Sequence, residues 1–200
     1  MVACAIDDEA QNHQLMLLHG AQGKGKSTFV RHLLPPELKD YYRNGMISPD
    51  NKDHLLQMSS CLLINLDEFD TLSPARMQEL KSLITQDVMN ERKVYDIQNY
   101  TFIRRASFIA STNNPHCLPD IGENRRILFN TLLEIDYHTP VNHQGIYAQA
   151  YALYRQGFQY WYENEEITFL NNRNEAFRQK DPIEENLFFY FRAARQNDIQ

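Results

Sequence analysis

Cysteine is scarce in this chain. Cys4, Cys61 and Cys117 are odd in number and far apart, and no CxxC or Cys/His spacing joins them. That pattern argues against a disulfide framework and a zinc-ligand set, and it suits a reducing cytosol. Long apolar runs are missing too: nothing approaches the roughly 20 residues of a membrane-spanning helix. The opening MVACAIDDEA lacks the basic start and apolar stretch of a secretion signal. Positive charge is not in excess, since 20 Lys and Arg against 26 Asp and Glu give a net charge of −6. The protein as a whole is therefore no basic coat for nucleic acid, though a locally basic loop is still compatible. No internal repeat, low-complexity tract or flexible linker divides the 200 residues, a length for one sizeable domain or one with a small appendage.

What is present is a core-forming composition, 42% hydrophobic with eleven Tyr and eleven Phe. Strand and helix signals alternate over the first two thirds. Residues 14–19, QLMLLH, read as a buried strand, followed by a glycine-rich loop and a helix over Ser27–Leu34 that Pro35 and Pro36 stop. GMISPDNKD reads as a turn and short strand, DHLLQMS as helix, and CLLINL (61–66) as a strand buried on both faces. Ser73 as N-cap with Pro74 at the first helical position opens a helix through SPARMQELKSLIT. KVYDIQNYTFIRRASFIAST reads as strand, turn, strand, and ILFNTLLEI as a further strand. This alternation predicts an α/β fold, a parallel sheet with helices on both faces. From Val141 the pattern turns helical, and Tyr147, Tyr151, Tyr154, Phe158 and Trp161 form one stripe expected to face the core. The expected organisation is a core over 1–138 and a helical region over 139–200 packing on it. Both ends look cut from a longer protein, with MVACAI the stub of a preceding helix.

Residues 20–27, GAQGKGKS, match G-x-x-x-x-G-K-[ST] in full. Gly20, Gly23 and Gly25 let the backbone bend so that successive N–H groups, including those of Ala21, Gln22, Lys24 and Thr28 around them, converge on phosphate oxygens. The following helix adds its positive end, Lys26 reaches the β- and γ-phosphates, and Ser27 ligates Mg²⁺. The strand before and the helix after are the context the motif requires, so the expected ligand is ATP with Mg²⁺. CLLINLDEFD ends its strand in Asp67, suited to the Mg²⁺ water shell, and Glu68, suited to polarising the attacking water. Asp70 reads as a turn or cap residue. FIASTNNP turns abruptly polar, and Asn113, ahead of Thr112 and Asn114, would sit between the two earlier motifs and bond the γ-phosphate or the water. Arg125 and Arg126 precede the next strand; they read equally as charge stabilisers for a neighbour's phosphate or as ion-pair partners of Glu123 or Glu134.

Together GAQGKGKS, LLINLDEFD, SFIASTNNP and GENRRI resemble the Walker A, Walker B, sensor 1 and arginine-finger segments of AAA+ ATPases. With ELKSLIT, ERKVY and FIRRASFIASTN between them, the chain more closely resembles the virulence-associated E family, phage- and island-borne proteins akin to superfamily-three helicases. The resemblance covers about residues 14–135. It implies a P-loop NTPase of the AAA+/RecA-like ASCE type with a C-terminal helical extension, working as a homo-oligomeric ring, usually a hexamer, that hydrolyses ATP and translocates on nucleic acid. It makes Arg125 or Arg126 the finger acting across the subunit interface.

From Arg76 to Arg105, six basic residues (Arg76, Lys81, Arg92, Lys93, Arg104, Arg105) face four acidic ones (Glu79, Asp87, Glu91, Asp96), so this window carries +2 and the remainder −8. With Tyr95, Tyr100 and Phe102 interleaved, Lys81, Arg92, Lys93, Arg104 and Arg105 read either as the lining of a pore that grips single-stranded DNA or as an ordinary solvated hairpin. Three functions compete: a nucleic-acid motor, a switch or scaffold ATPase acting on a protein partner, and a small-molecule kinase. Asp67–Glu68 and STNN are hydrolysis equipment and weigh against the kinase.

Overall fold

The computed structural model describes residues 1–67, 69–92, 98–118, 124–179, 183, 190 and 191. Its centre is a parallel five-stranded sheet of β1 (Leu15–His19), β2 (Tyr42–Asn44), β3 (Leu63–Leu66), β6 (Ser107–Thr112) and β7 (Ile127–Thr131), in the order β2-β3-β6-β1-β7. All four residues of β3 are buried, and β6 is buried throughout except for partly exposed Ser111. That is why both segments read as continuous apolar runs rather than alternations. In β1 the alternation separates two cores. Leu15 and Leu17 join Ile64, Leu66, Phe108 and Phe129 on one face, while Leu18 joins Leu63 and Ile109 on the other.

Helices cover both faces. Leu55 and Met58 of α3 (Lys52–Ser60) and Met77, Leu80, Leu83 and Ile84 of α4 (Pro74–Ile84) fill the first core. Val30 of α2 (Lys26–Arg31) and Leu34 fill the second. Ser73 caps α4 by accepting from the Arg76 N–H, and Pro74 opens it. At the amino end lies α1 (Val2–Ile6), and at the other α5 (His143–Arg155) and α6 (Asn164–Glu175). These last helices are tied to the sheet layer. The Tyr147 hydroxyl donates to the Leu33 carbonyl at 3.0 Å, and Phe177, just after α6, stacks on Phe129 at 3.7 Å. Among the described residues no helix is long and apolar enough to cross a membrane.

Several expectations need correcting. The short strand near Gly45 lies before it, as edge strand β2, and not in MISPDNKD, because pairing with β3 creates it rather than any apolar run. The helix after the glycine loop ends at Arg31, earlier than Leu34. An antiparallel hairpin of β4 (Val88–Arg92) and β5 (Asn99–Ile103) precedes β6; its first strand was not anticipated, and residues 93–97 lie outside the described residues. The aromatic stripe is not one core-facing helix. Gly157, at φ 75°, closes α5: its own N–H donates to the Tyr154 carbonyl at 3.0 Å and that of Phe158 to the Leu153 carbonyl at 3.0 Å. Phe158 and Trp161 therefore fall beyond the helix, and Tyr151, Phe158 and Trp161 are exposed, while Tyr147 and Tyr154 pack.

Candidate functional site

Because β6 lies between β1 and β3, the carboxyl ends of the three strands stand side by side, the region where open parallel sheets bind ligands. Register sets the levels. His19 pairs with Thr112 and Leu66 with Ala110, so the segments after them, the loop from Gly20, Asp67 and Asn113, open on the same sheet edge. In the loop, Gly23 and Gly25 adopt φ values of 79° and 82°, a left-handed geometry strained for any residue with a Cβ. A Cβ on Gly25 would also meet Tyr137 Cδ1 at 2.1 Å. The loop from Gln22 to Thr28 and Ser111, Asn113 and Tyr137 enclose a cavity of about 370 Å³.

Lys26 is the buried charge of this cavity, with only 8% of its surface exposed. Its ammonium donates to the carbonyls of Gly20 (2.5 Å) and Ala21 (2.9 Å) and to Asn113 Oδ1 at 2.7 Å. Burial lowers its pKa below the ordinary lysine value, and the carboxylate of Asp70 opposes that shift. Of Thr112, Asn113 and Asn114, Asn113 is the one whose side chain bonds the loop's Lys26. The Thr112 hydroxyl donates to Asp70 Oδ1 and accepts from the Asn114 N–H, and Asn114 Oδ1 accepts from the His116 N–H.

Asp70 corrects an expectation. It is no mere local cap: besides taking the Thr112 hydroxyl, its Oδ2 accepts from the Asn113 N–H at 3.1 Å, across 43 residues. It thereby fixes the β6 exit that carries Asn113. Asp67 is held as well. Asn65 Nδ2 donates to its Oδ1 at 3.0 Å and to Asn44 Oδ1 at 2.6 Å, while the Asn44 amide donates to Asp67 Oδ2. Asn65 was visible in advance as the one polar residue inside CLLINL; nothing local announced Asp70 or Tyr137. Glu68 lies outside the described residues.

Arg125 and Arg126 sit at the opposite end of the sheet. They precede Ile127, which pairs with Leu15 at the start of β1, whereas the loop follows His19 at its end. Five strand residues separate the two levels, about 15 Å at the usual rise. An ion pair with Glu134, beyond the far end of β7, is excluded by the same span; Glu123 lies outside the described residues. The two arginines line a cavity of about 180 Å³ with His13, Gln14, Thr85, Tyr162 and Ile167.

The expected nucleic-acid contacts change most. Lys81 is 4% exposed and Arg104 4% exposed. The Lys81 ammonium donates to Asn124 Oδ1 at 3.0 Å, and Arg104 donates to the carbonyls of Gln86, Ala106 and Asn12 and to Asp87. Arg105 bonds the Cys4 and Asp7 carbonyls and Asp8, tying α1 to the entrance of β6. These hydrogen bonds of all three side chains are made within the fold, with Lys81 and Arg104 buried and Arg105 partly exposed. Of Arg92 only the backbone is described, and Lys93 lies outside the described residues. All three cysteines are buried, and burial pushes the Cys117 thiol up to about 11, far from a reactive thiolate. A roomier cavity of about 610 Å³ opens between residues 7–14 and 154–163, and it shares no lining residue with the cavity of the glycine loop.

No curated protein matches this chain. Solved structures similar to it include apo structures of the C-terminal region of NrS-1. One spanning residues 305–718 has 17% identity, 88% coverage of this chain, 38% of that one and a TM-score of 0.49. An A-form structure of the same region has 16% identity, 88% and 37% coverage and a TM-score of 0.45. This chain thus spans little more than a third of those chains. The model of the virulence-associated protein E-like domain matches residues 1–179. That match runs from α1 through the glycine loop, the hairpin and the arginine turn to the end of α6, and on its extent the chain belongs to the virulence-associated protein E-like domain family.

Proposed function

We propose that this domain binds and hydrolyses ATP with Mg²⁺ and serves a replication-associated protein as the motor of a ring that moves on single-stranded DNA. One observation carries the reading: the buried Lys26 ammonium meets Asn113 at 2.7 Å over a loop with two left-handed glycines. Open amides, one ammonium and one amide at adjacent strand ends are equipment for a phosphate chain. The cavity of about 370 Å³ is roomy enough for one. Ser27, on its wall, and Asp67 would hold Mg²⁺. The amide bonds from Asn44 and Asn65 orient the Asp67 carboxylate and leave it further acceptor capacity. The metal ion supplies neutralisation of the phosphate charge; Asn113 orients, Lys26 stabilises and Glu68 takes the proton from water. The arrangement of five parallel strands supports a P-loop core of the AAA+ kind, and the distance from the arginine turn to its own loop supports a site completed by a neighbouring copy, as in a hexamer.

The deciding measurement is ATP turnover by the full-length protein with and without long single-stranded DNA. Turnover rises several-fold with DNA. Robust turnover indifferent to DNA would overturn the motor in favour of a switch acting on a protein partner. Gly25→Ala tests the loop separately. Its left-handed backbone costs about 1–2 kcal/mol with a Cβ, and Tyr137 must also move, so ATP affinity falls about tenfold. Adding Tyr137→Ala restores only part of that loss, because the backbone strain persists. Calorimetric titration reads both variants; unchanged affinity in Gly25→Ala would remove the loop from the site.

A further inference from the structure

The turn that carries the two arginines is clamped from three directions. The Ile127 N–H donates to the Asn124 carbonyl at 3.0 Å, closing a turn with Arg125 and Arg126 at its two central positions. From α4, Lys81 donates to Asn124 Oδ1 at 3.0 Å. From α6, Asn174 Nδ2 donates to the Asn124 and Ile127 carbonyls, both at 2.9 Å, so one amide group bridges the two corners of the turn. From β1, the Leu15 N–H takes the Arg126 carbonyl at 2.7 Å. Lys81, Asn124 and Asn174 are 4%, 6% and 1% exposed.

This is an expensive way to hold a surface turn. A buried ammonium bonded to a neutral amide loses hydration that one such bond does not fully replace, and Arg126 adds like-charge repulsion to the burial that lowers the Lys81 pKa. A turn needed only to connect Asn124 to β7 could be held by apolar packing at lower cost. What the clamp adds is a fixed backbone direction at both arginines, taken from two helices and strand β1 at once.

We propose that Lys81 and Asn174 are positioning residues for the Arg125–Arg126 turn, fixing the angle at which it enters the nucleotide site of a neighbouring copy. This rests on the shared-site reading above. Neither residue lines the chain's own cavity, so their loss acts on the neighbour's turnover and spares the chain's own nucleotide affinity.

The test mixes full-length variants. Lys26→Ala copies have a dead site and an intact turn; Arg125→Ala/Arg126→Ala copies have an intact site and no arginines. Asn174→Ala is expected to behave as the second kind. Alone it turns over ATP about 10- to 100-fold more slowly, the scale for a displaced group, with ATP affinity within about twofold of the unsubstituted protein. Mixed with Lys26→Ala copies it recovers turnover, and mixed with the double arginine variant it does not. Lys81→Met, which fills the same space without the hydrogen bond, repeats the pattern and serves if Asn174→Ala fails to bind ATP through misfolding. Should the arginine variant be dead while Asn174→Ala and Lys81→Met work normally, the clamp is merely structural and the inference falls. An arginine variant as active as the unsubstituted protein would overturn the shared site itself, and the clamp with it. A loss of turnover that Lys26→Ala copies cannot rescue, with affinity intact, also refutes a role in trans.

Discussion

Lys26→Ala is expected to slow ATP turnover by about 10²–10³-fold, the scale for removing one preorganised charge-stabilising donor, and to weaken ATP binding by about tenfold or more as a charge-assisted contact disappears. Stability should barely move. The carbonyls of buried Gly20 and exposed Ala21 lose a donor; Ala21 can turn to water, and the cost at Gly20, about 1–3 kcal/mol, is offset because the desolvation of a buried ammonium is relieved at the same time. A melting temperature within a few degrees of the unsubstituted protein, together with lost turnover, separates a site residue from a structural one; equal losses of both would refute the assignment. Lys26→Arg is no rescue, since a planar fork cannot repeat three bonds that converge on one nitrogen. The pH dependence has a definite sign. Burial lowers the Lys26 pKa, so the free loop loses its ammonium at a lower pH than an ordinary lysine, near 10.4, would. ATP affinity should therefore decline at a lower pH than an ordinary lysine would set, and Lys26→Ala should abolish that decline.

Legibility in the sequence followed how local each interaction is. GAQGKGKS carries its own geometry: glycines at the left-handed positions, a buried strand before and a helix after. β3 and β6 announced themselves because burial on both faces leaves uninterrupted apolar runs. β2 and β4 did not. Tyr-Arg-Asn and Val-Met-Asn-Glu-Arg have little pattern of their own, and both are strands only because a partner strand lies alongside. Lys81 could have been placed better. It lies four residues after Met77 and three before Ile84, on the apolar stripe of α4, all of which is buried; helical position, not the charge of its sequence neighbours, decides its burial. Gly157 likewise marked the end of α5 and should have split the aromatic stripe. The long-range ties had no local signal: Asp70 to Asn113 spans 43 residues and Asn174 to Asn124 spans 50. For these the sequence supplies the residue types, and the sheet order supplies the meeting.

Arg104→Ala should destabilise the domain by about 3–5 kcal/mol, the scale for stripping one partner from a buried charged network. For a chain of this length that is about 10 °C in melting temperature, a large share of the 5–15 kcal/mol that typically separates folded from unfolded protein. Its side chain is 1% exposed. The guanidinium joins three stretches of chain: the Asn12 carbonyl before β1 at 2.9 Å, the Gln86 carbonyl and Asp87 carboxylate before β4 at 2.9 and 3.1 Å, and the Ala106 carbonyl before β6 at 2.8 Å. It also lies over the Phe108 ring at 5.5 Å. Removing it strands these carbonyls, each worth about 1–3 kcal/mol if left unpaired in the interior, and leaves Asp87 to His13 alone at 2.8 Å. Lysine cannot substitute, because a single ammonium cannot reach three carbonyls that a flat five-donor group satisfies together. The competing expectation, that Arg104 grips DNA, makes the opposite forecast: an unchanged melting temperature, and a slope of log affinity against log salt reduced by about 0.7 for one lost contact to a single-stranded backbone. Thermal unfolding of Arg104→Ala beside a salt titration of DNA binding decides between them. Arg105→Ala gives the scale: it makes similar carbonyl bonds with 27% of its side chain exposed, so its loss should cost only about 1 kcal/mol. The hydrogen bonds of Lys81, Arg104 and Arg105 hold α4, the sheet and α1 in place, which is why stability, rather than the salt slope, is expected to carry the larger effect.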